Sequence, residues 1–280
     1  MSIAALDWLD LSAPPRVVFE QTPLALALCQ IQYSPVLSIS SPVAVAPFQQ
    51  AILDRYPVTS QEQNIKVQVE GNVVANQASV QSSLGSVSWR FADTADTWTV
   101  VLTQDFLTLE TRAYHDFSDF LNRLEHLLRA LSKHIRPRIG LRIGLRYVNE
   151  IRQDRQDWTT VVRPELLGPL AVPQLAGYAR QAIQHMQLQG PDGVGINIQH
   201  GLFPEGTVVN PPLGSGPPSG PFYLLDIDVY EEFKPGMLSV KPAVICGYVQ
   251  RYHGVVSQIF RWSVTEAYTA TLGRRLDGLE

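Results

Sequence analysis

Three arginines recur along one short apolar stretch of the sequence, and they are the residues best suited to bind a ligand. The stretch RIGLRIGLRYVNEI begins at Arg138 and also contains Arg142 and Arg146, with Gly140 and Gly144 between them. Successive side chains of a β-strand point to opposite faces. The arginines and glycines are therefore expected on one face, and the isoleucines, leucines and tyrosine on the other, toward a core.

This arginine face has two interpretations. Guanidinium groups pair with phosphates and carboxylates, so the face could be a groove for phosphates, a nucleic-acid backbone or an acidic peptide, which the glycines would allow to approach closely. Alternatively, carboxylates of the protein itself pair with the arginines. Asp226 and Asp228 in FYLLDIDVY share one strand face and are candidates for those partners. The candidate binding residues are Arg138, Arg142, Arg146, Tyr147, Asn149, Asp226 and Asp228.

The sequence contains no recognisable catalytic set. Its six histidines are scattered and form no HxH or HExxH motif. The triplet Gly214-Ser215-Gly216 lies in a Pro- and Gly-rich stretch and lacks the context of a nucleophile elbow. Asp226 and Asp228 alone are a weak metal signal, so a metal-dependent hydrolase is the least favoured interpretation, and no metal or cofactor is predicted.

Length, charge and composition indicate an ordinary globular protein. A chain of 280 residues can bury a large core, and 45% hydrophobic residues suffice to do so. The net charge of −4 gives no general reason to expect nucleic acid or an acidic membrane as a partner. The N-terminal residues do not read as a signal peptide, and no apolar run approaches the roughly 18 residues of a membrane span, which predicts a cytoplasmic protein.

Hydrophobic periodicity predicts strands and helices in alternation. The most distinct helix begins after Asp116, a plausible N-cap, and carries one apolar stripe from Phe117 to Leu131. The other predicted elements are a strand over 17–33, a short helix from Pro47 to Pro57, two strands (SVSWRFADT and TWTVVLTQDFLTLETRAY) around a turn at 93–96, a hairpin around 190–193, the strand FYLLDIDVY, and a last helix from about Gly247 to Leu272.

This order predicts an α+β fold in two halves, each an antiparallel sheet packed by one long amphipathic helix. The predicted halves are residues 1–155, with an arm over 1–15, and residues 156–280, with a flexible Pro- and Gly-rich loop over 204–221. Because strands followed by a long helix occur twice, the halves are candidates for an ancient duplication.

Short motifs in nearly the whole chain resemble those of a sporadically distributed family of uncharacterised prokaryotic proteins of about this length. The most specific are the LRYxN box at Leu145–Asn149 and the aromatic helix start Tyr114-x-x-Phe117-x-x-Phe120. The others are Pro23-Leu24, Gln30-x-x-Tyr33-Ser34-Pro35, Phe48-Gln49, Arg55-Tyr56-Pro57, Trp89-Arg90-Phe91, Phe106-Leu107-x-Leu109-Glu110-Thr111 and Leu225-Asp226-Ile227-Asp228. The resemblance implies no activity, cofactor or catalytic residue. The patchy distribution of the family favours mobile or defence-associated genes, such as toxin–antitoxin modules.

Two functions follow from these observations as hypotheses. The first is a non-catalytic binding or regulatory subunit that acts through a protein partner, with the Arg142/Arg146 face and the loop over 204–221 as its contact surfaces. The second is an RNA- or DNA-binding protein in which Trp89 or Tyr147 stacks on a base. Its basic stripe would consist of Arg136, Arg138, Arg142, Arg146, Arg152 and Arg155. The oligomeric state is left open.

Overall fold

The structure is a computed structural model, and it describes residues 8–9, 11, 18–19, 21–72, 77–153, 157–191, 193–207 and 220–275. The strands are β1 (Val18–Phe19), β2 (Leu24–Tyr33), β3 (Val58–Asn72), β4 (Gln77–Ala92), β5 (Trp98–Leu102), β6 (Phe106–Thr111), β7 (Gly140–Ile151), β8 (Ala182–Gln189), β9 (Val194–Phe203), β10 (Phe222–Glu232) and β11 (Arg274–Arg275). The helices are α1 (Pro42–Ile52), α2 (Phe117–Ala130), α3 (Pro164–Leu167), α4 (Pro173–Ala176), α5 (Pro242–Ser263) and α6 (Glu266–Thr271).

Nine of the described strands form one antiparallel sheet, which confirms the predicted α+β class. The strand order is β3-β4-β5-β6-β2-β7-β10-β9-β8, and β1 pairs separately with β11. The two sides of this sheet are connected in a similar way, although the meander has four strands on one side and three on the other. The meander β3 to β6 brings its last strand beside β2, and the meander β8 to β10 brings its last strand beside β7. A long helix follows each meander, α2 in the first case and α5 in the second.

One face of the sheet is covered by helices and forms the main core. Alternate residues of the central strands are fully buried there, among them Cys29, Ile31, Leu145 and Ile227. The apolar stripe of α2 packs into the same cluster through Phe120, Leu124, Leu127 and Leu128. Since burial of one large apolar side chain contributes about 1.5–3 kcal/mol, these layers supply the main stabilising term.

The predicted start of α2 is confirmed. Asp116 is the N-cap, and its carboxylate accepts a hydrogen bond from the backbone N–H of Asp119 at 2.8 Å. The helix continues in a π-helical turn over Leu131–Ile135 and ends at Arg136, whose φ of 59° is left-handed. This backbone reversal, followed by Pro137, directs the chain into β7.

Several predicted elements have different bounds in the structure, and the strand predicted over 17–33 is the two strands β1 and β2, of which only β2 belongs to the large sheet. The short helix begins at Pro42 instead of Pro47. Pro47 is tolerated one turn inside it because the carbonyl that loses its N–H donor belongs to the exposed Val43. The long strand predicted after the turn at 93–96 is two strands, β5 and β6. They are separated by a tight turn in which the Thr103 hydroxyl donates to Asp105 at 2.7 Å.

The last predicted helix is also two helices. α5 starts at Pro242, where proline suits the first helical turn, and ends at Ser263. Val264 then pairs with Val162, and Thr265 caps α6 by accepting a hydrogen bond from the N–H of Tyr268. Most of the predicted arm over 1–15 and of the predicted loop over 204–221 lies outside the described residues. Among the helices that are described, none combines the length and apolar character needed to cross a membrane.

A buried histidine links β9 and β10 to the short helices. His200 is 3% exposed, and its Nδ1 lies 2.8 Å from the hydroxyl of Tyr223, which donates to the carbonyl of Leu166 at 3.2 Å. Because the hydroxyl proton goes to Leu166, Nδ1 of the neutral ring carries the N–H that Tyr223 accepts. Burial lowers the pKa of His200 below its ordinary value of 6.5.

We expect His200 to make the protein sensitive to mild acid. Below pH of about 6.5 the unfolded chain binds a proton at this histidine that the folded protein does not, so the free energy of unfolding falls as the pH falls. Chemical denaturation at a series of pH values should show a shallower decline for His200→Gln than for the wild type. His134→Gln, in the π-helical turn that follows α2 and away from His200, is the control. Equal declines in all three proteins would contradict this assignment.

Candidate binding site on the open sheet face

The face of the sheet opposite the helices carries the predicted arginines and aspartates. We call it the open sheet face and define its centre by Arg142, Gly144, Arg146, Asp226, Asp228 and Tyr230, which alternate with core residues on β7 and β10. None of the described helices contributes a buried side chain to it. Its one buried apolar cluster comes from strand residues, namely Leu26, Val148, Phe203, Phe222 and Leu224.

Arg146 and Asp226 form a two-bonded ion pair across β7 and β10. Nε of Arg146 donates to one carboxylate oxygen at 2.8 Å, and Nη2 donates to the other at 2.5 Å. The Asp226 side chain is 5% exposed and that of Arg146 is 33% exposed. This hydrogen bonding raises the pKa of Arg146, although burial opposes it. The apolar Val148, directly opposite Asp226, helps to exclude water and so strengthens the pair.

Arg142 and Asp228 form the second, weaker pair. Nη2 of Arg142 donates to Asp228 at 3.1 Å, and the two side chains are 19% and 21% exposed. Burial raises the pKa of Asp228, and the two neighbouring guanidinium groups only partly counteract it. Desolvation therefore outweighs the attraction at this carboxylate. Both arginines have a carboxylate partner on β10, which confirms the interpretation that the protein pairs these arginines itself.

Glycines on the neighbouring strands make room for two side chains to lie flat on the sheet. Arg142 is opposite Glu232 and reaches Asp228 by lying along β7 over Gly144, where a Cβ atom would be 2.8 Å from its Nη1. Tyr230 lies over Gly195 of β9, where a Cβ atom would be 2.4 Å from the ring. The Arg142 guanidinium also lies 4.6 Å from the centre of the Tyr230 ring, a cation–π contact.

The predicted stripe of three arginines is wrong at Arg138. β7 begins at Gly140, and a register shift places Gly140 opposite Tyr33 while Arg142 stays opposite Gln32. The extra residue, Leu141, turns Gly140 toward the core, where a Cβ would clash with the buried Leu238. Arg138 is exposed and precedes the strand, so of these three predicted arginines Arg142 and Arg146 alone share the open sheet face.

Tyr147 and Asn149 lie on the helix-covered face, as the alternation predicts for Tyr147. The Tyr147 hydroxyl donates to the hydroxyl of Tyr114 at 3.1 Å and lies 3.1 Å from Nδ1 of His253, whose ring stacks on Phe117 at 3.8 Å. The two most specific motifs of the family resemblance, the LRYxN box and the aromatic helix start, thus meet inside the core. The Asn149 amide donates to the carbonyl of Leu225 at 3.0 Å.

Of the other described members of the predicted basic stripe, Arg152 alone reaches the open sheet face, where its guanidinium lies 4.9 Å from the centre of the Phe222 ring. Arg136 donates to the carbonyl of Lys133 at the end of the helical segment, and Arg152 is paired with Glu150 at 2.8 Å. Arg155 lies outside the described residues. Trp89, the other predicted stacking residue, is buried on the helix-covered face and donates to the carbonyl of Ile39.

Sequence reasoning missed Tyr230 and Gly195. The available signals were an aromatic residue, Tyr230, and a glycine, Gly195, each inside a predicted strand. Their pairing depends on the register of β9 against β10, which the sequence does not display. Among the described residues, no group of three or more His, Cys, Asp or Glu side chains is placed to hold a metal ion.

Comparison of the chain with protein-family models and with curated proteins returned no match. The family resemblance and the biological setting inferred from it therefore stay predictions.

We expect Arg146→Ala to lower the free energy of unfolding by about 3 kcal/mol, because it leaves the buried Asp226 carboxylate without its partner. Urea denaturation measures the change. The double variant Arg146→Met, Asp226→Leu should recover most of the loss, since an apolar pair of similar size removes the buried charge altogether. Arg142→Ala should cost less, because Asp228 is more exposed. Wild-type stability of Arg146→Ala would show that the pair does not form.

Proposed function

We propose that this chain is a cytoplasmic, non-catalytic binding or regulatory subunit that acts through a protein partner, and that the partner docks on the open sheet face. The observation that carries the proposal is the fixed arrangement of Arg142 and Tyr230. Arginine and tyrosine are the residue types that contribute most to protein–protein affinity when they are held in place. Here Asp228, Gly144 and Gly195 hold them, so little side-chain entropy is lost on binding.

The charges of the open sheet face favour a protein partner over a nucleic acid. Arg142 and Arg146 are each neutralised by an aspartate, so the two ion pairs add no net charge to the surface. Binding to a phosphate backbone depends on unpaired basic groups that release counterions. The remaining N–H groups of the two guanidinium groups suit the carbonyl and carboxylate oxygens of a polypeptide. An RNA- or DNA-binding protein, the alternative prediction, has less support for this reason.

The biological setting is inferred from the family resemblance alone. A sporadic distribution among prokaryotes favours a defence or toxin–antitoxin system, in which a subunit of this kind would control a second protein. The similar connection of the two sides of the sheet, a meander whose last strand returns beside the strand that precedes it, supports the further proposal that the predicted halves, residues 1–155 and 156–280, arose by duplication.

The test is capture of the partner from the native host with the tagged chain, followed by mass spectrometry and an absorbance spectrum. We expect one stoichiometric protein and no nucleic acid. Tyr230→Ala should weaken capture by roughly 30-fold, because truncation of a central interface tyrosine costs about 2 kcal/mol. Tyr230 is preferred to the arginines as a probe because its removal leaves both ion pairs intact.

Arg129→Ala is the matched control, since Arg129 is an exposed residue of α2 on the helical side of the molecule. It should capture the partner as the wild type does. Capture of nucleic acid that is lost on a high-salt wash would favour the alternative function. Capture by Tyr230→Ala equal to that of the control would refute docking at this face.

A further inference from the structure

One edge of the large sheet is exposed along almost its whole length. β8 is the last strand in the sheet order, and β9 is the only described strand that pairs with it. Six of its eight residues are exposed, and the other two are partly buried. An edge strand presents a row of backbone N–H and C=O groups that have no partner within the sheet, so it can pair with a further strand.

β8 lacks the features that usually prevent such pairing. Its sequence, AIQHMQLQ, contains no Asp, Glu, Lys, Arg or Pro, and its register with β9 is unbroken from Ala182 to Gln189. The opposite edge strand, β3, differs in both respects. It carries the exposed, charged Glu62, and its register with β4 shifts between Gln63 and Ile65. Charges and irregular register are common protections of edge strands, so only the β3 edge is protected.

Exposed apolar side chains are concentrated beside this unprotected edge. Among the described residues, nine large hydrophobic side chains are exposed, and five of them fall between positions 172 and 186. They are Val172, Leu175, Tyr178, Ile183 and Met186, of which Tyr178 is 89% exposed. Val172 is the N-cap residue of α4, Leu175 belongs to α4, and Tyr178 lies in the segment that leads into β8. The other two belong to β8 itself. Clustering of this kind marks an interaction surface.

The chemistry of β8 fits a second copy of the same strand. A strand without charges meets no like-charge repulsion when it pairs with itself. Gln187 and Gln189 each carry both a donor and an acceptor, so identical side chains can bond to one another. A two-fold axis through antiparallel β8 strands would also bring the exposed apolar residues of both copies to the same interface.

We infer that this chain forms a symmetric dimer in which β8 pairs antiparallel with β8 of a second copy, so that the two nine-stranded sheets become one continuous sheet. The dimer leaves the open sheet face accessible in both copies and does not depend on the partner proposed for that face.

Size-exclusion chromatography with light scattering, at micromolar concentration, tests the inference. The wild type should have twice the chain mass of 31.1 kDa. Two β8 variants introduce like charges at exposed neighbouring positions of one face, His185→Lys with Gln187→Lys, and His185→Glu with Gln187→Glu. Each should have the mass of a monomer by light scattering and the secondary structure of the wild type by circular dichroism. An equimolar mixture of the two should dimerise again, because opposite charges then meet across the axis.

Ser60→Lys with Gln61→Lys is the control, since it adds the same two charges to exposed positions of the opposite edge strand. This variant should stay dimeric. A monomeric wild type would overturn the inference, and so would β8 variants that remain dimeric like the control. Because these readings concern mass alone, they are separate from the loss of partner capture by Tyr230→Ala.

Discussion

The pairing of β7 with both β2 and β10 is the constraint on which the rest of the structure depends. β7 lies between these strands at the centre of the sheet and joins its two sides. Its register places Arg146 opposite Asp228, and Val148 opposite Asp226. A slip of one residue would turn the arginines toward the helices and move Leu145 to the open face. Two guanidinium groups would then be buried without carboxylates, which is far more costly than any contact the slip could gain.

The same register explains why the open sheet face is flat and electrically balanced. Glycine inside a strand is unfavourable unless something approaches its backbone closely. At Gly144 and Gly195 the approaching groups are side chains of this protein, Arg142 and Tyr230. The glycines therefore hold an arginine and a tyrosine in place, with aspartates beneath the arginines. Such a surface offers oriented donors and an aromatic ring at low entropic cost, which suits a polypeptide better than a polyanion.

Elements that depend on local interactions could be predicted from the sequence. The start of α2 was predictable because Asp116 and the apolar stripe both act within a few turns of helix. The pairing of arginines with Asp226 and Asp228 was predictable as one of two interpretations, because the residue types and the strand faces were visible. Whether the arginines bind a ligand or pair with these aspartates depends on β7 and β10 being neighbouring strands, which the sequence does not show.

Features that depend on tertiary contacts were not predictable. The bulge at Leu141, which removes Arg138 from the stripe, arises where β7 meets the end of β2 and Leu238. The break between α5 and α6 occurs where Val264 pairs with Val162, a residue about a hundred positions earlier. Tyr230 is a candidate binding residue because its ring lies over Gly195, and this contact depends on the pairing of β9 with β10. In each case, a strand or segment distant in sequence determines the outcome.

The most direct measurement of the central claim is partner capture by Gly144→Ala. A methyl group at this position would lie against the flexible end of Arg142, so the fold is retained while the guanidinium is displaced from Asp228 and Tyr230. Every charged and aromatic residue of the face is still present. The account predicts a folded protein that loses no more stability than Arg142→Ala does, with much weaker capture of the partner. Capture equal to that of the wild type would contradict it, because the fixed position of Arg142 would then have no part in binding.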